Sequence, residues 1–258
     1  MKPRVCILRT DGTNCDQEAA YAFEKCGAVT ELVHVNQLRD RDVKLQDFQI
    51  MVIPGGFSYG DDVHSGKVLA VELISLFREE LSDFVSRNKL VLGICNGFQV
   101  LVRTGLLPDA DPGKIKVTLM DNDSGRFECR WVNMRVQKSP CVFTEGMEGA
   151  TVSYQAAHGE GKFFAEPDVL KDLEARGLVV LRYVDRFGSE TMSYPQNPNG
   201  SLNAIAGLCD PSGRIFGLMP HPERYVDHTQ HPLWRRKNGA DPDGLFVFKN
   251  AVRYAANI

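Results

Sequence analysis

The stretch Lys89-Leu90-Val91-Leu92-Gly93-Ile94-Cys95-Asn96-Gly97-Phe98-Gln99 constrains the fold more tightly than any other in the chain. An apolar run suited to a buried parallel strand ends at Cys95, and Phe98, Leu101, Val102 and Leu106 then recur at helical spacing. A strand that turns sharply into a helix at one residue is a nucleophile elbow. It brings the positions two before and two after the turn so close that side chains there would collide, and Gly93 and Gly97 hold those positions. Cys95 therefore stands at a helix N-terminus, where free backbone N–H groups and the positive end of the dipole favour a thiolate.

The 258 residues, 43% hydrophobic and 24% charged, suit one large α/β domain spanning residues 1–258. A formal charge of −3 gives no basic footprint for nucleic acid, and no cluster of Lys and Arg suggests an acidic membrane surface. The seven cysteines, Cys6, Cys15, Cys26, Cys95, Cys129, Cys141 and Cys209, are scattered without the short spacings of a zinc site, so no metal is expected. Reduced thiols fit a cytoplasmic protein. The N-terminus runs into a strand without a signal-like apolar region, and no apolar stretch approaches the ~20 residues of a membrane span.

Residues 4–9 read as a first strand. A helix follows, with Asn14 as N-cap, Gln17 three residues on, Ala19, Ala20, Phe23 and Cys26 as its apolar stripe, and Gly27 as its stop. Strands at 29–35 and 49–53, helical segments within 67–87 and the strand carrying Cys95 complete an alternating pattern, which predicts a doubly wound parallel sheet with helices on both faces. Alternating segments near 115–120, 127–136 and 150–155 read as antiparallel additions, followed by a helix at 167–176 and a strand at 178–184. Pro198-Asn199-Gly200 predicts a hairpin turn between extended segments 189–194 and 201–208. The turn Asp210-Pro211-Ser212-Gly213 leads into a last strand, Arg214 to Met219. Residues 227–243 read as a polar surface loop before a closing helix with Leu245, Phe248 and Val252 on its buried face.

A cysteine nucleophile needs a group to take and return a proton, and histidine is suited to this near neutral pH. Of six histidines, His221 follows a strand directly, where a doubly wound sheet collects its functional groups, and Glu223 two residues on can fix its tautomer. Pro220 and Pro222 stiffen that turn. Pro54-Gly55-Gly56 ends another strand and leaves backbone N–H groups exposed; with the amide of Asn96, that of Gly56 can hold an oxyanion. Nucleophile, base–acid pair and oxyanion loop at three strand ends point together to acyl transfer at a carbonyl.

Gly93 to Gln99 with His221-Pro222-Glu223 resembles the class I glutamine amidotransferases. Pro54 to Asp61, Ala157-His158-Gly159-Glu160-Gly161, Asn197 to Ser201 and Met219 to Arg224 further resemble the glutaminase subunits of phosphoribosylformylglycinamidine synthase, in order and across nearly the whole chain. The resemblance implies a flavodoxin-like, mostly parallel sheet, with Cys95 as nucleophile and His221 and Glu223 as its partners. It implies Gly55, Gly56, Asn96 and Gln99 around the substrate glutamine. It also implies that ammonia passes to a separate synthetase subunit, which uses ATP and Mg²⁺ to make formylglycinamidine ribonucleotide in purine biosynthesis, with a small bridging subunit in the same complex. No Walker-type phosphate loop occurs in this sequence, and no cofactor is expected in this chain.

The segment Asp62-Val63-His64-Ser65-Gly66 follows the family pattern loosely, so His64 reads as facing a partner or nothing, while His158, in a Gly-rich turn, reads equally as lining the glutamine pocket or as a hydrogen-bonded loop histidine. A cysteine α/β hydrolase or deglycase would keep the fold but take its histidine from beside the elbow, where this chain has Asn96. A catalytically silent binding subunit would not need Cys95, His221 and Glu223 together.

Overall fold

The computed structural model describes residues 2–236 and 241–258. The chain begins with β1 (Arg4–Arg9), α1 (Asp16–Lys25) and β2 (Val29–His34), then the short α2 (Val35–Arg39), β3 (Ile50–Ile53), α3 (Lys67–Ser86), β4 (Leu90–Ile94) and α4 (Asn96–Thr104). β2 pairs with one edge of β1 and β3 with the other, all parallel, and β4 continues beside β3. The chain thus leaves β1 in one direction and returns past it in the other. Right-handed crossovers then put α1 and α3 on opposite faces of the sheet, with the crevice between β1 and β3 at their carboxyl ends. On one face α1 packs with the closing helix α6 (Leu245–Ala255), Phe23 meeting Phe248 edge to face at 5.0 Å. On the other, α3 packs with α4.

The second half supplies β5 (Val117–Asp121), β6 (Glu128–Val136), β7 (Thr151–His158), β8 (Glu160–Ala165), α5 (Pro167–Ala175), β9 (Val179–Val184), β10 (Ile205–Cys209) and β11 (Ile215–Leu218). Among the described residues the main sheet runs β2-β1-β3-β4-β11-β10-β9-β6-β7. It is mixed: the neighbours from β2 to β11 pair in parallel, and those from β11 to β7 are antiparallel. β5 and β8 form a separate antiparallel ribbon. The central strands β3, β4 and β11 are buried along their whole length, as their unbroken apolar runs require.

Three local expectations are corrected. Cys15, not Asn14, is the residue flanking α1, and it makes no side-chain cap. No hairpin forms around Pro198-Asn199-Gly200: residues 189–194 form no strand, and among the described residues their backbone pairs with the sheet at the isolated bridge Val184 to Glu190. Asn197 Oδ1 instead accepts from the Gly200 and Ser201 amides, both at 3.1 Å, while Asn199 Nδ2 donates to Gly161 O at 2.8 Å and to the Tyr183 hydroxyl at 3.2 Å. These side chains hold the turn inside the protein, where a hairpin would have left it in water. The segment 227–243 is also more than a solvated loop: His231 is buried against Trp131 at 4.5 Å and Tyr225 at 5.1 Å between ring centroids. Residues 237–240 of that segment lie outside the described residues.

The elbow is steric, as its glycines require. A Cβ at Gly93 would stand 2.6 Å from Gly97 O, and one at Gly97 would stand 1.8 Å from Ile53 O, the last carbonyl of β3. Neither obstacle is a side chain that can swing away. Gly97→Ala is expected to cost about 3 kcal/mol or more, read as a lowered urea midpoint; an unchanged midpoint would mean that β3 and α4 are not in this contact.

Candidate active site

Register places the site. Ile53 pairs with Gly93 and Ile94 with Leu218, so β3, β4 and β11 end side by side. The residues that follow are Pro54-Gly55-Gly56, Cys95 and Met219-Pro220-His221, and the sheet delivers all three segments to one place. The Cys95 amide donates to Leu218 O at 2.8 Å, extending the β4–β11 ladder through the turn. Cys95 has φ 52° and ψ −105°, a conformation that costs a residue with a side chain roughly 1–3 kcal/mol. The elbow is thereby held with Cys95 directly before the first turn of α4.

His221 is fixed at both ends. Its amide donates to Gln155 O at 2.8 Å, and its Nδ1 lies 2.6 Å from Glu223 Oε1. Cys95, His221 and Glu223 are only 5%, 1% and 1% exposed, so little water screens the charges among them. Burial opposes a charged imidazole, but the Glu223 carboxylate and the Cys95 sulfur outweigh it, so His221 titrates well above its ordinary value. Gly55 belongs to the same cluster, since a Cβ there would stand 2.6 Å from His221 Cε1. Gly56 has φ +140°, and its added Cβ would meet Asn14 N at 2.7 Å; the loop after β3 is packed against residues 12–14.

Asn96 and Gln99 are both buried and tie the elbow to its surroundings. Asn96 Oδ1 accepts from Ser58 N at 3.3 Å, while its Nδ2 donates to Asp61 Oδ1 and Gln99 Oε1, each at 3.1 Å. Gln99 Nε2 donates to Glu160 O at 2.5 Å, and the Glu160 carboxylate takes the Ser65 amide and hydroxyl at 3.2 and 3.0 Å. Beside this network opens a cleft of about 460 Å³ lined by Phe57, Asp61, Ser65, Arg126, Phe127 and Glu160, among others. His64 is exposed and has no part in the network. His158 is buried and is held by Asn122, Nδ1 to Oδ1 at 3.1 Å.

Sequence reasoning passed over Cys15. Its sulfur accepts from Arg224 Nη2 at 3.2 Å, and ligand atoms of Cys15, His221 and Glu223 lie within 4.8 Å of one another. The available signal was position, because Cys15 follows β1 at the carboxyl edge where the other site residues collect. In this grouping the His221 and Glu223 atoms nearest each other already satisfy one another.

The sequence matches the family of CobB/CobQ-like glutamine amidotransferase domains over residues 2–255. It is 48% identical over 259 residues to phosphoribosylformylglycinamidine synthase subunit PurQ of Dehalococcoides mccartyi, covering 100% of this chain and 99% of that one. Against the PurQ subunit of Methanococcus maripaludis the identity is 42% over 266 residues, with 98% and 97% covered. Among solved structures, PurLQS from Thermotoga maritima matches with a TM-score of 0.74 and 36% identity over 98% of this chain and 99% of that one. The glutaminase domain of Trypanosoma brucei CTPS, at 15% identity and a TM-score of 0.58 over 99% and 94%, shares the fold. The chain belongs to the glutamine amidotransferases, and within them to the family of phosphoribosylformylglycinamidine synthase subunits PurQ. Among the described residues no helix is long and apolar enough to cross a membrane.

The raised value of His221 has a sign that can be tested. The stability carried by its charged pair with Glu223 is fully present below His's unfolded pKa of ~6.5 and is lost as pH rises through the higher native value. Glu223→Gln should lower the His221 titration midpoint observed by NMR and remove this part of the pH dependence of unfolding. A midpoint that stays where it was would refute Glu223 as the cause.

Proposed function

We propose that residues 1–258 form one glutaminase domain that hydrolyses glutamine to glutamate and ammonia through Cys95, His221 and Glu223. The ammonia goes to a separate ATP- and Mg²⁺-using synthetase subunit, which makes formylglycinamidine ribonucleotide in cytoplasmic purine biosynthesis, with a small bridging subunit in the complex. The observation that carries this reading is the delivery of Cys95 and the His221–Glu223 pair, 2.6 Å apart, to adjacent strand ends.

In this mechanism the Cys95 sulfur, its proton held by His221, attacks the γ-carboxamide carbon of glutamine. The amides of Gly56 and Asn96 hold the tetrahedral oxyanion, the kind of donor whose loss typically costs ~100 to 1,000-fold in rate. His221 gives its proton to the departing nitrogen, and ammonia leaves a glutamyl thioester on Cys95. Water attacks the thioester, His221 takes its proton, and C–S cleavage releases glutamate. Glu223 keeps Nδ1 of His221 protonated throughout, so that Nε2 faces the reaction. Gln99, bonded to Asn96 and to Glu160 O, sets the wall against which the substrate glutamine lies. Gly55 leaves the space that His221 occupies.

Free hydrolysis would waste glutamine. The loop bearing Gly56 therefore takes its donor geometry when the synthetase docks, and glutamine turnover by the isolated chain is low. Equal turnover with and without the synthetase would contradict this control. Cys95→Ser is expected to abolish glutamine-dependent synthesis by the reconstituted complex while ammonia-dependent synthesis survives, and a glutamine-analogue inactivator should add its mass to Cys95. Loss of both syntheses in a complex that still assembles would place Cys95 outside this role.

A further inference from the structure

His158 is buried one residue beyond the β7 segment whose carbonyls touch the reaction centre, yet the mechanism above gives it no part. β7 carries it there: Gln155 O receives the His221 amide at 2.8 Å, Ala157 O faces Cys95 Sγ at 3.6 Å, and His158 is the next residue. Its tautomer follows from its partner. Asn122 Nδ2 donates to Arg126 O at 2.9 Å and to His158 O at 2.8 Å, which turns Asn122 Oδ1 toward His158 Nδ1 at 3.1 Å. An amide oxygen can only accept, so His158 Nδ1 carries the hydrogen and Nε2 is a bare lone pair. That Nε2 is buried and has no hydrogen-bond partner among the described residues. Gly161 leaves room for the ring, since a Cβ there would stand 2.4 Å from His158 Cε1 and Nδ1 and 2.9 Å from Nε2.

The ring also stays neutral. Burial, reinforced by the positive charge of His221 and only partly offset by Glu128, lowers His158 to about 3. A second buried nitrogen in this region is likewise without a partner among the described residues, Nε2 of His221 itself. One nitrogen is a permanent acceptor; the other becomes an acceptor once it has given its proton to the leaving ammonia. A molecule with two O–H bonds held between them would satisfy both at that stage, and the reaction calls for such a molecule then.

We infer that His158 Nε2 holds the water that cleaves the glutamyl thioester, accepting one of its O–H bonds while His221 Nε2 removes the other proton. The proposal rests on the glutaminase reading. The water oxygen bonds to the thioester carbon, the abstracted proton goes to His221, and the C–S bond breaks with its electron pair returning to the Cys95 sulfur. The proton on the His158 side stays on the new carboxyl group and is lost to solvent, so His158 ends the cycle unchanged. Its part is confined to the second half-reaction. It fixes the direction of attack, and loss of such positioning is expected to slow that step by about 100-fold.

The test uses the full chain reconstituted with its synthetase, comparing wild type with His158→Asn and His158→Ala. Both variants should hydrolyse glutamine about 100-fold more slowly and, after rapid quenching, carry the glutamyl adduct on Cys95 as a mass increment of the intact chain. Hydroxylamine, a stronger nucleophile than water, should discharge the adduct as the hydroxamate and restore much of the turnover. Slow turnover without the adduct would overturn the proposal, since a merely structural role would impair acylation as well; unchanged turnover would overturn it too. Should the variants not fold, the nitrogen-15 shifts of the wild-type ring decide, because a protonated Nε2 cannot accept and would also overturn it. Failure of wild-type Cys95 to be labelled by a glutamine analogue would instead strike the glutaminase reading itself.

Discussion

The close approach of three backbones at the elbow governs this structure. The end of β3, the turn at Cys95 and the first turn of α4 occupy space in which the added Cβ of Gly97 would stand 1.8 Å from Ile53 O. That contact fixes the height at which α4 leaves the sheet and hence the position of Cys95. It also brings the Gly55-Gly56 loop against the helix N-terminus. With β11 in register on the other side, His221 arrives without a long connection of its own. Strand pairing within the sheet thus sets the geometry of the site, and backbone hydrogen bonds are among the more rigid ties available to a protein.

Around this frame the side chains divide into two sets. Cys95, His221 and Glu223 are nearly inaccessible and lie in a poorly screened region, where burial works against the imidazolium and its neighbours more than compensate. Asn96, Gln99, Glu160, Ser65 and Asp61 form a hydrogen-bonded wall toward the cleft, where burial pushes the Asp61 carboxyl up against the opposing hydrogen bond from Ser65. The first set performs the proposed chemistry. The second reaches the cleft through Asp61, Ser65 and Glu160.

Much of this was legible in the sequence, for identifiable reasons. The elbow declared itself because its constraint is local: two glycines at fixed distances from one cysteine, ahead of a helical stripe. The alternation of strands and helices gave the doubly wound half, and the placement of His221 and Gly56 at strand ends followed from it. What escaped depended on contacts between distant segments. Cys15 lies beside His221 although most of the chain separates them. Pro198-Asn199-Gly200 has the composition of a hairpin turn, but Asn197 and Asn199 bond inward to groups that no local pattern announces. β8 begins with Glu160-Gly161-Lys162 and shows no clean alternation, so its pairing with β5 was not foreseen. The tautomer of His158 could not be read without knowing which carbonyls surround Asn122.

The even ending of β3, β4 and β11 has a consequence for how such a chain tolerates change. These strands are 4, 5 and 4 residues long, and they act as gauges as much as walls. One residue added inside any of them would turn the groups beyond it to the other side of the sheet. Substitution within their buried runs spends packing alone, whereas a change in length spends the alignment itself. For these segments spacing is the stricter inheritance, and a chain that drifted widely in letters while keeping these three counts would still bring its reactive groups together.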